Sequence, residues 1–309
     1  MATELKPPII LFGNTRSGTT IVQDVISAHP GVVSWYEPSE LWLYADPSRP
    51  HDEFEAHDAT ERAKRYIRKR FLQYQEQNNG ARVFEKTPKN IFKIPYVHAI
   101  FPEAAYLYIV RNPFSFISSV EMKWQKTVTG KGIMRRLKST PVLQIHHHLF
   151  NYLMQQYNKR IRKRKYLSIW GPRYRGIQDD VKNCDLLTVI ARQWAYGSRK
   201  AEQDIAQLGP GRVLKLRYED FVDDPLPYVE QICAHCGVEM TAEIVKAANE
   251  MVKADRKLKW QRFQPDDLAR ILPEIEGEMA RHGYSIPQEI REAIASQPER
   301  QNVLAVNSG

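Results

Sequence analysis

The chain has 309 residues and a formal net charge of +9, from 45 Lys and Arg against 36 Asp and Glu. This length suits one large α/β domain, residues 1–309, with an ample core. The three cysteines do not make a disulfide framework. Because the sequence shows neither a signal peptide nor an apolar run near the length of a membrane-spanning helix, we expect a cytoplasmic protein without a transmembrane segment.

Strand-like runs alternate with helical patterns along the chain. The predicted strands are Pro8–Phe12, Val32–Tyr36, Arg82–Phe84, Ala105–Val110 and Arg212–Tyr218. This alternation predicts an α/β fold in which a central parallel sheet is flanked by helices. The polar, helix-rich stretch at about residues 123–184 departs from the alternation, and we interpret it as an insertion within the same domain.

The loop after the first predicted strand has the composition of a phosphate-binding loop. It reads Gly13-Asn14-Thr15-Arg16-Ser17-Gly18-Thr19-Thr20, and a helical pattern follows it. The N–H groups at the start of that helix would face an anion, and the two glycines allow close backbone approach. The glycines have the spacing of a Walker A loop, but Thr19 stands where that loop has its Lys. The missing Lys argues against phosphoryl transfer from a metal-bound triphosphate. A turn that binds no ligand is the alternative for this loop taken alone.

A second segment repeats the arrangement of strand, polar turn and helix. The run Ala105–Val110 ends in Arg111-Asn112-Pro113, and a helical pattern carries Ser119. A guanidinium at the end of a parallel strand and a hydroxyl two turns into the next helix can converge on one phosphate, because ligands bind outside the carboxyl ends of such strands. Taken alone, Arg111 would more often cap a helix or form a salt bridge.

Together these two segments resemble those of the sulfotransferases that use 3′-phosphoadenosine 5′-phosphosulfate (PAPS). The similarity continues through Phe84–Pro88, Leu216–Phe221 and Gly283-Tyr284, and in order and spacing it covers most of the chain. The resemblance implies a three-layer, P-loop NTPase-like α/β fold. It also implies transfer of a sulfuryl group, without a metal, to a hydroxyl or amine of an acceptor. We expect the insertion at about 123–184 to cover the acceptor site.

The resemblance assigns the two ends of the donor to different residues. The 5′-phosphate and the sulfuryl oxygens would be held by the loop residues Arg16, Ser17, Gly18, Thr19 and Thr20. The 3′-phosphate would be held by Arg111 and Ser119. Tyr218 would approach the nucleoside, and Arg256 or Lys257 would reach the 3′-phosphate, although such a basic run more often faces solvent. The family's Trp after the Thr-Thr pair is Ile21 here, which leaves one wall of the adenine site unassigned.

Two further residues are assigned to catalysis together with Arg16. Lys86 follows a predicted strand and would stabilise negative charge on the leaving group, a solvated Lys being the alternative. Glu37 follows the strand-like Val32–Tyr36 and would be the general base, its carboxylate partly desolvated by two aromatic neighbours. Some relatives carry a His base two residues beyond the Lys, where this chain has Pro88, which favours Glu37. A helix-capping Glu is the alternative.

Two dense basic clusters, Arg62–Arg70 and Lys159–Lys165, exceed what a doubly charged donor requires. A solvated helix face is the simpler interpretation. The sharper one makes the second cluster a rim for an anionic acceptor, such as an acidic glycan or an anionic lipid headgroup, because a basic cleft steers such ligands. The segment Trp170–Tyr174 could present aromatic faces to a sugar ring.

The sequence leaves two alternatives to sulfuryl transfer. A P-loop kinase of unusual sequence would need the absent Walker Lys. A basic protein that binds nucleic acid or a membrane would leave both phosphate motifs unexplained, and we expect no nucleic-acid partner. Cys233 and Cys236 have the CxxC spacing but no second pair, so we expect a core-facing helix end; His146-His147-His148 is expected to be polar helix surface, and we expect no metal site.

Overall fold

The computed structural model describes residues 4–124, 169–253 and 259–296. Its centre is a sheet of five parallel strands in the order β2-β3-β1-β4-β5. The strands are β1 Ile9–Gly13, β2 Val32–Tyr36, β3 Arg82–Lys86, β4 Ala105–Val110 and β5 Val213–Arg217. The predicted parallel α/β fold is thus confirmed, and all five carboxyl ends lie at one edge of the sheet.

The strand bounds follow the apolar runs closely, with one informative difference. β2 and β4 have the predicted bounds, but β3 extends two residues further than predicted, through Glu85 to Lys86. Both added residues are buried and pair with β2, Glu85 opposite Trp35 and Lys86 opposite Tyr36. Lys86 therefore belongs to the strand itself rather than to the loop after it.

Helices cover both faces of the sheet. In chain order they are α1 Thr19–Ile26, α2 Glu61–Gln77, α3 Ile94–Ile100, α4 Pro113–Trp124, α5 Ile177–Asn183, α6 Leu186–Gln207, α7 Tyr218–Asp223, α8 Pro225–Cys236, α9 Ala242–Met251, α10 Pro265–Arg281 and α11 Gln288–Ala295. Apolar side chains of α1, α7, α8 and α9 pack on one face, and those of α2, α3, α4, α6 and α10 pack on the other. Alternate residues of the central strands supply both cores, as the period of a strand requires.

Several sequence expectations concern parts of the chain away from the sheet edge. Cys233 and Cys236 are buried on α8 and both are free thiols, as expected for a core-facing helix end. Of the expected insertion at 123–184, residues 125–168 lie outside the described residues, together with the His146 run and the second basic cluster. Within the described ranges, no helix is long and apolar enough to cross a membrane.

Candidate active site

The loop between β1 and α1 has the geometry of an anion cradle. Gly18 precedes α1 with φ 86°, and the first turn of the helix contains no acidic side chain. The N–H groups of that turn are therefore available to an anion. The Ser17 hydroxyl oxygen is buried and has no hydrogen-bond partner among the described residues. Asn14 connects the loop to α6, because its side-chain amide donates to Ser198 Oγ at 3.3 Å.

Steric contacts require glycine at positions 13 and 18 of this loop. A Cβ on Gly18 would lie 2.2 Å from Tyr218 Cδ2, and one on Gly13 would lie 2.8 Å from the carbonyl oxygen of Ile109. Tyr218, the first residue of α7, thus packs directly against the loop. The aromatic ring that was expected near the nucleoside lies at the anion cradle.

Arg16, Arg111 and Ser119 lie together beside the cradle. Arg16 Nε donates to Ser119 Oγ at 2.8 Å, and Arg111 Nη1 donates to the carbonyl oxygen of Arg16 at 2.8 Å. The Arg111 guanidinium lies 4.2 Å from the centre of the Tyr218 ring, a cation–π contact, and its residue is only 8% exposed. Trp194 of α6 donates to the carbonyl oxygen of Arg111 at 2.9 Å and fixes the backbone there. Two guanidinium groups from distant segments therefore flank one cradle.

Lys86 and Glu37 form the other half of the site. Lys86 Nζ lies 2.8 Å from Glu37 Oε1 and donates to Thr20 Oγ1 at 3.1 Å, so the ammonium bridges the Glu37 carboxylate and the first turn of α1. The Lys86 side chain is 3% exposed, whereas that of Glu37 is 41% exposed. Among the described residues, Glu37 is the one carboxylate that pairs with this almost fully buried cation. A cation held at the anion cradle favours an anionic ligand.

The environment of Glu37 differs from the expected one. Trp35 points to the opposite face of β2 and stacks on Tyr74 with ring centres 4.4 Å apart, while Tyr36 is 52% exposed and donates to Asp24. Successive strand residues face opposite sides, so the two aromatic rings cannot enclose the following carboxylate. Ion pairing with Lys86, rather than burial between aromatic rings, defines the surroundings of Glu37.

A buried ionic cluster, which sequence reasoning missed, stands beside the site. Asp52 is fully buried, and Arg173 Nη2 donates to its Oδ1 at 3.0 Å. Lys89 Nζ and Lys93 Nζ each lie 3.9 Å from the same oxygen. Burial alone would raise the pKa of Asp52, but these three positive charges hold it well below its usual range. We call these four residues the Asp52 cluster; the only signal for it was an acidic residue in a loop.

A second missed element supports the Arg111 end. Glu219 of α7 accepts hydrogen bonds from the Asn112 backbone N–H at 3.0 Å and from the Tyr284 hydroxyl at 2.7 Å. This joins β4, α7 and the segment after α10. Arg256 and Lys257, the remaining predicted donor-binding residues, lie outside the described residues.

Comparison with known proteins gives a consistent result. A model described as the sulfotransferase family matches residues 7–170 and 164–242. Nodulation protein NoeE of Sinorhizobium fredii (strain NBRC 101917 / NGR234) is 26% identical over an alignment of 145 residues that covers 40% of this chain and 34% of that protein. The chain thus matches about a third of the length of this curated relative.

Among solved structures, sulfotransferase STF9 from Mycobacterium avium aligns with a TM-score of 0.52 and 13% identity, over 92% of this chain and 78% of that one. The sulfotransferase domain from the curacin biosynthetic pathway aligns with a TM-score of 0.49 and 16% identity, over 92% of this chain and 100% of that one. The likeness to STF9 concerns the fold.

Proposed function

The chain belongs to the sulfotransferase family, and we propose that it moves a sulfuryl group from PAPS to a hydroxyl group of an acceptor. The observation that carries this proposal is the pair of guanidinium groups, Arg16 and Arg111, held beside the open first turn of α1. PAPS has two separate phosphate positions, and a second cationic anchor beside a phosphate loop distinguishes its recognition from that of a singly anchored anion.

The residues present fit such a donor. The backbone N–H groups of Gly18, Thr19 and Thr20, the Ser17 hydroxyl, which has no partner among the described residues, and the Arg16 side chain would hold the 5′-phosphate and the sulfuryl oxygens. Arg111 and Ser119 would hold the 3′-phosphate. The Tyr218 ring, which packs against the Arg111 guanidinium, would approach the nucleoside. Arg256 and Lys257 remain proposed contacts of the same phosphate.

Glu37 and Lys86 would perform the chemistry. Glu37 takes the proton from the acceptor hydroxyl, whose oxygen attacks sulfur; the new O–S bond forms as the bond from sulfur to the bridging phosphate oxygen breaks. Lys86 and Arg16 stabilise the charge that develops on the departing 3′-phosphoadenosine 5′-phosphate (PAP). In in-line transfer the attacking and the leaving oxygen lie on opposite sides of sulfur, so the Glu37 carboxylate would face the acceptor and the Lys86 ammonium would face the bridging oxygen. The 2.8 Å contact between the two groups supports this proposal, because it keeps both at the reacting centre.

We further propose that the acceptor carries negative charge, as an acidic glycan or an anionic lipid headgroup does. Support comes from the exposed face of α2, where Arg62, Arg65, Lys69 and Arg70 form no ion pair among the described residues. We call these four residues the α2 basic stripe. Because α2 begins after the loop that leaves the carboxyl end of β2, Arg62 lies at the active-site edge of the sheet. We also propose a cytoplasmic location, which cell fractionation would test.

Titration calorimetry with PAP tests the assignment directly. The wild-type protein should bind PAP without added metal, and Arg111→Ala should weaken binding at least about tenfold, because a charge-assisted contact to the 3′-phosphate contributes more than 1.4 kcal/mol. Arg291→Ala, which removes an exposed guanidinium on α11, is the matched control and should leave affinity unchanged. A preference for Mg²⁺-bound adenosine triphosphate over PAP would instead support the kinase alternative.

A further inference from the structure

Glu85 is a buried carboxylate that the proposed chemistry does not use. It precedes Lys86 on β3 and is fully buried. Because neighbouring strand residues face opposite sides, Glu85 points away from the cradle toward the core that holds Trp42. It cannot touch a donor or an acceptor bound on the Lys86 side. A carboxylate in such a place needs a reason, because burial without compensating bonds is costly.

The hydrogen bonds of Glu85 join two separate segments. Its Oε1 accepts from Trp42 Nε1 at 3.0 Å and from the Thr87 hydroxyl, and its Oε2 accepts from Asn90 Nδ2 at 3.4 Å. Trp42 lies in the 3-10 turn Leu41–Leu43, which follows Glu37 in the chain. Thr87 and Asn90 follow Lys86. One carboxylate thus fastens the segment after the base to the segment after the cation.

Glu37 has a backbone conformation that requires such support. Its φ is 47°, in the left-handed region that disfavours residues other than glycine. Its N–H donates to the carbonyl oxygen of Lys86 at 3.1 Å. A conformation of this kind persists only where the surrounding structure determines it, and the turn that carries Trp42 is the structure that follows Glu37.

We propose that Glu85 is a positioning residue, which holds Glu37 and Lys86 at their working separation by hydrogen bonding the segment that follows each of them. This inference rests on the proposed sulfuryl transfer. It goes further in assigning a role to a residue on the far face of the sheet. The role depends on the hydrogen bonds of the side chain rather than on its negative charge, which lies away from the reacting groups.

Two substitutions separate hydrogen bonding from charge and from packing. Glu85→Gln keeps the shape, retains a carbonyl oxygen for Trp42 and Thr87, and offers an N–H to Asn90 Oδ1, which has no partner among the described residues. Glu85→Leu removes every bond but suits the apolar surroundings, where Trp42 packs edge-on against Phe71. It leaves the donors of Trp42, Thr87 and Asn90 without this acceptor, so we expect the variant to unfold at a lower temperature than the wild-type protein. Trp42→Phe removes only the bond on the Glu37 side.

The experiment measures PAP release during the slow hydrolysis of PAPS, in which water takes the place of the acceptor hydroxyl, together with PAP affinity and thermal midpoint. We expect Glu85→Leu to lower kcat about 10- to 100-fold, because small misplacements of reacting groups cost this much. PAP affinity should stay within about twofold, since Arg16 and Arg111 are untouched, and all variants are assayed well below their thermal midpoints so that each is folded. Glu85→Gln should retain most of the activity. Trp42→Phe should lower kcat as well, and add little when combined with Glu85→Leu.

The proposal is overturned if Glu85→Leu keeps wild-type kcat, if it loses kcat only in step with PAP affinity, or if Glu85→Gln is as impaired as Glu85→Leu. Failure of the proposed function gives a different result, because it is seen in the wild-type protein and not only in the Glu85 variants. In that case the wild-type protein itself neither binds PAP nor releases it from PAPS, and the positioning role in this reaction falls with it.

Discussion

Two of the charged residues assigned to catalysis adopt a backbone conformation that disfavours their side chains. Among the described residues other than glycine, positive φ values occur at Arg16 (63°), Glu37 (47°) and Asn79 (56°). Asn tolerates this region because its side chain can bond locally, whereas Arg and Glu gain nothing from it. Strain of about 1–3 kcal/mol at such positions is characteristic of functional sites. The strain at Arg16 and Glu37 aims both side chains at the edge of the cradle, where Ser119 and Lys86 receive them.

The strain at Glu37 makes an unusual stability ranking testable. Glu37→Gly relieves the left-handed strain, while Glu37→Ala keeps it, and both lose the same half-exposed ion pair with Lys86. We therefore expect the glycine variant to be more stable than the alanine variant by about 1 kcal/mol, the reverse of the usual order. Urea denaturation of the two variants measures this difference.

Activity should not follow the stability of these variants. Both should lose about 100-fold or more of PAPS turnover, because neither retains a base. Glu37→Gln keeps the size of the side chain and removes only its charge, so an equal loss of turnover in this variant would attribute the effect to the missing base. An alanine variant at least as stable as the glycine variant would show that Glu37 is not strained.

At the scale of elements, the sequence predicted what local pattern encodes. β2 and β4 could be bounded because apolar runs and the polar turns after them mark both ends. The helix predicted to follow the segment Gly13–Thr20 is α1, which begins two residues earlier than expected, at Thr19. The last two residues of β3 could not be predicted, because charged residues such as Glu85 and Lys86 seldom continue a buried strand. Their burial depends on partners far away in the chain, Trp42 on one face and Glu37 on the other.

The candidate site was accessible from sequence only in part for the same reason. A phosphate-binding loop and the end of a strand can be recognised from neighbouring residues in the sequence, so Arg16, Arg111 and Lys86 could be singled out. No local pattern states that Arg173 reaches Asp52, or that Trp194 holds the Arg111 backbone, since those contacts exist only in the folded chain. The strength of the family resemblance lies in the two phosphate segments, and the acceptor side lacks any such motif.

The α2 basic stripe permits a test of the proposed acceptor class. Arg62 also lies over the Tyr44 ring, which stacks on Tyr66 with centres 3.9 Å apart, so a flat aromatic surface adjoins the stripe. We expect the triple variant Arg62→Glu, Arg65→Glu, Lys69→Glu to elute from a heparin column at lower salt than the wild-type protein, because it loses the local positive field.

The matched control for the stripe changes net charge equally on other surfaces. Lys246→Glu, Lys253→Glu and Arg291→Glu replace three exposed cations outside α2. This variant should elute at higher salt than the stripe variant, and both should bind PAP as the wild-type protein does. Equal elution of the two triple variants would attribute heparin binding to net charge alone and would remove the support that α2 gives to an anionic acceptor.

At the scale of the whole molecule, the Asp52 cluster joins segments that are remote in sequence. The Asp52 N–H donates to the carbonyl oxygen of Arg173 at 2.7 Å, and the Arg173 N–H donates back to Asp52 Oδ2 at 2.8 Å. This pair connects the loop before α2 to the segment after residue 168, while Lys89 and Lys93 come from the chain that follows Lys86. Nearby, Gly171 approaches Thr15 of the phosphate loop, where an added Cβ would lie 3.5 Å from Thr15 Oγ1. The cluster therefore fastens the expected acceptor side to the donor side.

The Asp52 cluster also predicts how stability responds to acid. Because the folded-state pKa of Asp52 lies below its unfolded value, the ionised carboxylate contributes stability above about pH 4, and this contribution is lost as the pH falls toward the folded pKa. Asp52→Asn leaves three buried or half-buried cations without their anion, so we expect it to cost about 3–5 kcal/mol at pH 7. That cost should shrink by about 1 kcal/mol between pH 5 and pH 3, a range below the lowered pKa of about 7 of the buried Lys93, as the wild-type protein alone loses the contribution of Asp52. Urea denaturation at both pH values measures it, with the exposed Asp179→Asn as a control that should cost little at either. A cost for Asp52→Asn that is independent of pH would mean that Asp52 acts through its hydrogen bonds to Arg173 and not through its charge.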